Sequence, residues 1–323
     1  MRRGRGFAYR DADGDAVADA ETLERIETLA IPPAWRDVWI CADARGHLQA
    51  TGVDAAGRKQ YLYHSLWREQ RDGRKFREMQ EFARVLPRLR TSVQRALDAD
   101  DEPSQERVAA GATRLLDVGL FRVGGARYAD DATGGFGLAT LTREHLSWRG
   151  ERAVFDYLGK SGVERVLEIS DARSVALLRQ LGRRRSGPAE LLCYRDGRSW
   201  RRLGSDGINE YIKAQAGEDF SAKDFRTWNA TAMTAARLAH FALHPTSRPR
   251  SPQRVVRAVV KEIAEMLGNT PAVARGSYID PRVLDGFLSG TTIDTALERV
   301  DTLAEIGDRR RRAVELAVLR LLD

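Results

Sequence analysis

The spacing of apolar and polar positions changes along the chain, and the changes mark its organisation. Short alternating runs come first. Asp37-Val38-Trp39-Ile40-Cys41, His47-Leu48-Gln49-Ala50-Thr51 and Arg58-Lys59-Gln60-Tyr61-Leu62-Tyr63 are separated by turn signals at Ala44-Arg45-Gly46 and from Asp54 to Gly57. A period of two predicts strands, and it puts Tyr61 and Tyr63 on one face. From about Lys75 the spacing becomes helical, with Phe76, Met79, Phe82 and Ala83 in register. A second helix fits Leu86–Leu97, and a third is opened by Pro103-Ser104 and runs to about Val118. Between Phe155 and Ile169, two apolar runs flank Gly159-Lys160-Ser161-Gly162, which predicts a β-hairpin.

The remainder reads as mostly helical. Ser221 and Asp224 have capping-box spacing, which starts a helix just before Arg226. That helix ends at His244 before Pro245, and Arg248 to Gln253 forms a basic connector. From Arg254 to Leu267 the residues Val255, Val256, Val259, Val260, Ile263, Met266 and Leu267 share one face. Gly268 closes this helix, and Thr270-Pro271 opens a short one leading to Tyr278. One or two helices are expected from Ile293 to Leu322, with Arg309 to Arg312 exposed. The expected fold class is therefore α+β. A small N-terminal β-sheet domain (1–77) precedes a larger, mainly α-helical domain (78–323) that carries the hairpin.

Charge narrows the partners. The chain has 53 Lys+Arg against 46 Asp+Glu, a net +7. A basic surplus among many acids implies a basic face, and a polyanion such as nucleic acid is the first partner to expect. A compositional preference for arginine would give the same count. The two cysteines, Cys41 and Cys193, form no CxxC, so neither a zinc site nor a disulfide framework is expected. They read as buried thiols in a reducing compartment. No run approaches 18 apolar residues, and Asp11, Asp13 and Asp15 stand where a signal peptide would have its apolar stretch. No membrane association and a cytoplasmic, nucleoid-associated location are the expectations.

Cleaving a phosphodiester without a metal requires a nucleophile, cations and a hydrogen-bond donor for the non-bridging oxygens, and an acid for the leaving oxygen. Four local contexts offer such groups. Asn269 precedes Tyr278 by nine positions, across a helix end and a cap. Lys223-Asp224-Phe225-Arg226-Thr227-Trp228 places an arginine in the first turns of a helix, where a phosphate gains from both the guanidinium and the N–H groups. Gly119-Leu120-Phe121-Arg122-Val123-Gly124 sets an arginine among apolar neighbours before a glycine-rich stretch. Lys160 occupies the tip of the predicted hairpin. Taken singly, each has an ordinary reading as a packed tyrosine, a surface arginine or a solvated lysine.

Other chemistries fail on their own patterns. A P-loop needs glycine where Val154 stands. His240 and His244 have helical ligand spacing but lack the following glutamate, and Pro245 breaks the helix. Asp98, Asp100, Asp101 and Glu102 lack the spacing of a calcium loop. Gly134-Gly135-Phe136-Gly137 has no strand before it and is not a dinucleotide fingerprint.

In the order Arg122, Lys160, Arg226, Asn269, Tyr278, the contexts resemble the catalytic set shared by type IB DNA topoisomerases and tyrosine recombinases. Ile31-Pro32-Pro33-Ala34-Trp35 with Gly57 to His64 resembles the N-terminal domain of poxvirus-like and bacterial type IB enzymes. The resemblance implies Tyr278 as nucleophile, Arg122 and Arg226 as phosphate-binding cations, Lys160 as acid and Asn269 as donor. It also implies DNA contacts from Arg58, Lys59, Gln60, Tyr61, Tyr63, Arg127 and Tyr128. A monomeric clamp on duplex DNA is implied, relaxing supercoils with no metal, ATP or other cofactor. Two departures stand out. Many members have histidine at Asn269, whose amide donates only as a neutral group. Gly125 stands where some viral members carry a DNA-contacting lysine. The alternatives are a tyrosine recombinase, whose N-terminal domain is usually a helical bundle rather than this β-like opening, and a non-catalytic DNA-binding protein of the same fold.

Overall fold

In the computed structural model the described residues are 2–3, 6–99, 102–125, 135–244, 251–295 and 306–323. They divide into two compact units, Met1–Arg77 and Glu78–Asp323. The N-terminal unit contains helix α1 (Ala20–Thr28), capped by Asp19, and an antiparallel sheet β1 (Arg36–Ile40), β2 (Leu48–Val53), β3 (Lys59–Tyr63) in that order. Arg25 pins α1 to the sheet, donating to Gln49 Oε1 at 2.9 Å and to the Cys41 carbonyl at 2.7 Å. Gln49 is itself buried and donates to the Gly46 carbonyl at 2.7 Å. Trp35 packs so closely on Gly52 that a Cβ there would lie 2.7 Å from the ring.

Helix α2 (Ser65–Asp98) crosses from one unit into the other as 34 continuous residues. The helical spacing begins ten residues earlier than its apolar pattern suggests, because His64 caps it: His64 Nδ1 accepts from Leu66 N at 3.1 Å. No break separates the two helices expected here. Pro87 lies inside, where proline costs a backbone bond and about 3 kcal/mol. The buried Phe82, Leu86, Leu89 and Val93 on the same face hold the helix through it.

The second unit continues with α3 (Gln105–Gly119), capped by Ser104, and the antiparallel sheet β4 (Leu146–Arg149), β5 (Arg152–Leu158), β6 (Glu164–Ile169). Then come α4 (Ala172–Gly182), the ladder β7 (Cys193–Asp196) with β8 (Ser199–Arg202), and α5 (Ser205–Ala216). That ladder lies in the remainder that the sequence pattern marks as mostly helical, with no element assigned there. Helix α6 (Ala222–Leu243) begins at the Ser221/Asp224 capping box and is buried on nearly every side, the signature of a central helix. Around it follow α7 (Pro252–Leu267), α8 (Pro271–Ser277), α9 (Pro281–Leu288) and α10 (Asp308–Leu322). Arg237 on α6 grips Glu262 on α7 with two N–H···O bonds of 2.8 and 3.1 Å. Cys193 is buried, whereas Cys41 is only half-buried.

One expectation about α10 is corrected. Arg309 and Arg310 are exposed, but Arg311 is buried in an ionic network. Asp117, near the end of α3, accepts from Arg90 at 2.8 and 3.0 Å and from Arg311 at 3.2 Å, and Glu315 accepts from Arg90 at 2.7 Å. The Asp117 carbonyl takes N–H groups from Asn229 and Arg311, which ties α3, α6 and α10 together. Burial pushes the Asp117 carboxyl up, but Arg311, Arg90 and Arg114 outweigh it and hold it well below the usual carboxylate range. A depressed pKa stabilises the fold above the unfolded value of about 4 and loses that contribution as pH falls below it. Asp117→Ala is expected to lower stability at neutral pH by about 3–5 kcal/mol, since it leaves buried cations unpaired. Urea unfolding checks this, and a loss under about 1 kcal/mol contradicts it.

Candidate active site

A helix leaves its last four carbonyls without intrahelical partners, and the macrodipole makes that end negative. At the end of α7 three arginines from three different elements occupy the successive carbonyls of Glu265, Met266, Leu267 and Gly268. Arg165 on β6 donates to Glu265 O at 3.0 Å and to Met266 O at 2.7 Å. Arg226 on α6 donates to Leu267 O at 2.8 Å. Arg122, just after α3, donates to Gly268 O at 3.1 Å and to Asn269 Oδ1. The α7 terminus thus gathers the cations around the residues that lead to Tyr278.

Local structure explains how Arg122 reaches this place. Helix α3 ends with Leu120 in the left-handed region (φ 55°), unusual for a residue with a Cβ, which turns its carbonyl to accept from Arg226 Nη1. Phe121 is buried and packs edge-on against Phe155, ring centroids 5.0 Å apart, and against Tyr157 at 6.2 Å, both on the hairpin strand β5. The Arg122 and Val123 carbonyls accept from Leu138 N at 2.8 Å and Ala139 N at 2.7 Å. Gly124 and Gly137 pass backbone to backbone, where a Cβ on Gly137 would lie 2.5 Å from Gly124 Cα. Phe136 N donates to Leu158 O at 2.8 Å, so the same segment is laced to the hairpin whose tip bears Lys160. Lys160 is exposed, and among the described residues no hydrogen bond or ion pair joins it to the arginine cluster.

Tyr278 follows α8, which Thr270 caps by accepting from Val273 N at 3.3 Å. Its own carbonyl accepts from Thr231 Oγ1 at 3.1 Å, on the helix that carries Arg226. The Arg226 guanidinium carbon lies 5.1 Å from the Tyr278 ring centroid. Burial raises the phenol's pKa, but Arg226, Arg122 and the Asn269 amide favour phenolate more strongly, and the net result is below the ordinary tyrosine value. Burial, then the charge of Arg122, brings Arg226 down to about 10, so it remains a cation at neutral pH. Arg122 is lowered as well, chiefly by burial. The Asn269 Nδ2 is buried and makes no well-formed hydrogen bond, and the amide acts on the Tyr278 phenol.

Four sequence candidates therefore converge: Arg122, Arg226, Asn269 and Tyr278. The N-terminal candidates occupy β3 and the turn before it. Tyr61 and Tyr63 stack with centroids 6.3 Å apart, and Lys59 Nζ lies 5.9 Å from the Tyr61 ring. Arg58 and Gln60 both bind Asp54 Oδ2, at 2.9 and 2.8 Å. The Arg58 N–H first, aided by its side chain and Gln60, brings Asp54 down to about 2 against the opposing effect of burial. Arg127 and Tyr128 lie outside the described residues. Arg165, Thr231 and Asp117 were missed. Arg165 had a signal, since period two along β6 puts it on the buried face with Leu167 and Ile169. Thr231 and Asp117 act through partners far away in the chain and had none.

Comparison with known proteins gives the family. Residues 64–284 match the family described as eukaryotic DNA topoisomerase I, catalytic core, and residues 6–54 match the bacterial DNA topoisomerase IB N-terminal domain. The chain belongs to the type IB DNA topoisomerase family. It is 25% identical to DNA topoisomerase 1B of Acanthamoeba polyphaga mimivirus over 299 residues, 86% of this chain and 83% of that protein. It is 24% identical to DNA topoisomerase I of Monkeypox virus and to DNA topoisomerase 1B of Vaccinia virus (strain Copenhagen), in each case over 83% of this chain and 82% of the relative.

The electrostatics yield a direct test. In ultraviolet titration of the DNA-free protein, one tyrosine is expected to ionise below the free value of about 10. That step is absent from Tyr278→Phe. Arg122→Gln removes a nearby positive charge and moves the step to higher pH. An unchanged titration in Tyr278→Phe contradicts the assignment.

Proposed function

We propose that Tyr278 is the nucleophile with which this topoisomerase relaxes supercoiled duplex DNA. The observation that supports it most is the meeting of two guanidiniums, one buried amide donor and one acidified phenol at a single helix terminus. The Tyr278 oxygen attacks the scissile phosphorus, the bond to the 5′ oxygen breaks, and a 3′-phosphotyrosyl link forms. Arg122 and Arg226 neutralise charge on the non-bridging oxygens, and Asn269 Nδ2 donates to one of them. Lys160 protonates the departing 5′ oxygen, for which an exposed hairpin tip leaves access. The cut strand rotates, and the 5′-OH reverses the reaction. The link conserves the bond energy, so ATP has no role, and the guanidiniums provide the charge a metal would otherwise supply. The N-terminal unit adds contacts from Arg58, Lys59, Gln60, Tyr61 and Tyr63, so one copy grips the duplex as a clamp.

Plasmid relaxation in EDTA without ATP checks this. Wild type is expected to relax supercoils fully and to leave an SDS-trapped covalent adduct. Tyr278→Phe is expected to do neither, and Asn269→Ala to be slower by roughly 10²–10³-fold, the usual cost of one oxyanion donor. Relaxation by Tyr278→Phe at the wild-type rate removes the mechanism. DNA binding with no adduct and no relaxation by wild type points instead to a non-catalytic binder.

A further inference from the structure

We propose that Arg165 is a positioning residue for the cleavage reaction, locking the Lys160 hairpin onto the end of α7 so that acid and nucleophile share one frame. Arg165 lies five residues after Lys160 on β6, the return strand of the hairpin. Its side chain is buried, 8% exposed, on the face of β6 opposite the exposed Val166. Both terminal nitrogens are committed, one to Glu265 O and the other to Met266 O, carbonyls a hundred residues further along the chain. A planar fork can bridge two successive carbonyls in this way, whereas an ammonium is a single point.

The side chain is also clasped at both ends by glycines. Its stem runs beside Gly159, the residue before Lys160, where a Cβ would lie 3.1 Å from Arg165 Cγ. Its guanidinium covers Gly268, the residue before Asn269, where a Cβ would lie 2.9 Å from Nη1. Arg165 therefore touches the immediate predecessors of two candidate catalytic residues, on elements that are otherwise distant in sequence. Lys160 itself, exposed at the tip, depends on the hairpin for its placement. With each terminal nitrogen donating to a carbonyl of α7, Arg165 is well placed to hold the hairpin against the site. Misplacement by about 1 Å costs on the order of 10²-fold in rate, so a loosened hairpin slows proton delivery far more than DNA binding.

The inference rests on the reading of Lys160 as the acid. Single-turnover cleavage of a duplex by the full-length protein tests both, with either a normal or a sulfur-substituted 5′ bridging atom. A thiol has a pKa of about 8.5, so the thiolate leaves without a proton. Arg165→Lys and Arg165→Gln are expected to cleave the normal duplex about 10²-fold more slowly than wild type. They are expected to bind it unchanged and to recover most of that loss on the sulfur duplex. Arg165→Lys keeps the charge and stem, so it decides the matter should Arg165→Gln fail to fold in a thermal melt. Wild-type rates in Arg165→Lys, or a slowing that persists in full with sulfur, overturn the positioning role. Lys160→Ala is run in parallel. If sulfur does not restore it, the acid assignment itself has failed, whatever Arg165 does.

Discussion

The site depends on holding like charges together out of water. Arg122 and Arg226 repel each other, and burial penalises both, as their lowered pKa values record. What permits the arrangement is the α7 terminus. Its last carbonyls carry partial negative charge, and Arg226 and Arg122 each gain a hydrogen bond there, to Leu267 and Gly268. Neutral carbonyls serve better here than a carboxylate would. They fix the guanidiniums without cancelling the positive field that a phosphate and a phenolate require.

The rest of the second unit can be understood as support for that terminus. The central helix α6 presents Arg226 to it and holds the Tyr278 backbone through Thr231. The Asp117 network anchors the end of α3 to α6 and α10 just before the chain turns at Leu120 to deliver Arg122. Phe121 seats the same turn on the hairpin strand. Asn269 adds a neutral amide to the cluster, its oxygen held by Arg122 and its nitrogen buried without a well-formed hydrogen bond. Groups fixed in this way would need little reorganisation in the proposed reaction, where charge moves onto phosphate oxygens.

Much of this was legible because it is written locally. The Ser221/Asp224 box, Gly268 and Thr270-Pro271 are short-range signals. They located the helices bearing Arg226 and Tyr278 to within a few residues, because capping is decided by neighbours in sequence. The Gly-Lys-Ser-Gly turn placed Lys160 at a hairpin tip for the same reason. The breaks in the reading have equally physical causes. The stretch from Lys75 to Leu97 reads as two helices, and packing on both sides of Pro87 keeps α2 continuous. Arg311 looked like part of an exposed basic run, but its partner Asp117 lies 194 residues away and no local pattern announces it.

By itself, then, the sequence determined the class of fold and the order of the candidate residues, since cap spacing, turn chemistry and residue type are properties of short segments, while the phosphate chemistry was implied by a family resemblance. Only the tertiary structure decided which charges are buried, that Arg165 joins Arg122 and Arg226 at one helix end, and that the Asn269 amide is left unsatisfied. Those facts arise from desolvation and from backbone groups brought together across a hundred residues or more, and the free energy of burying a charge belongs to its surroundings rather than to its neighbours in the chain.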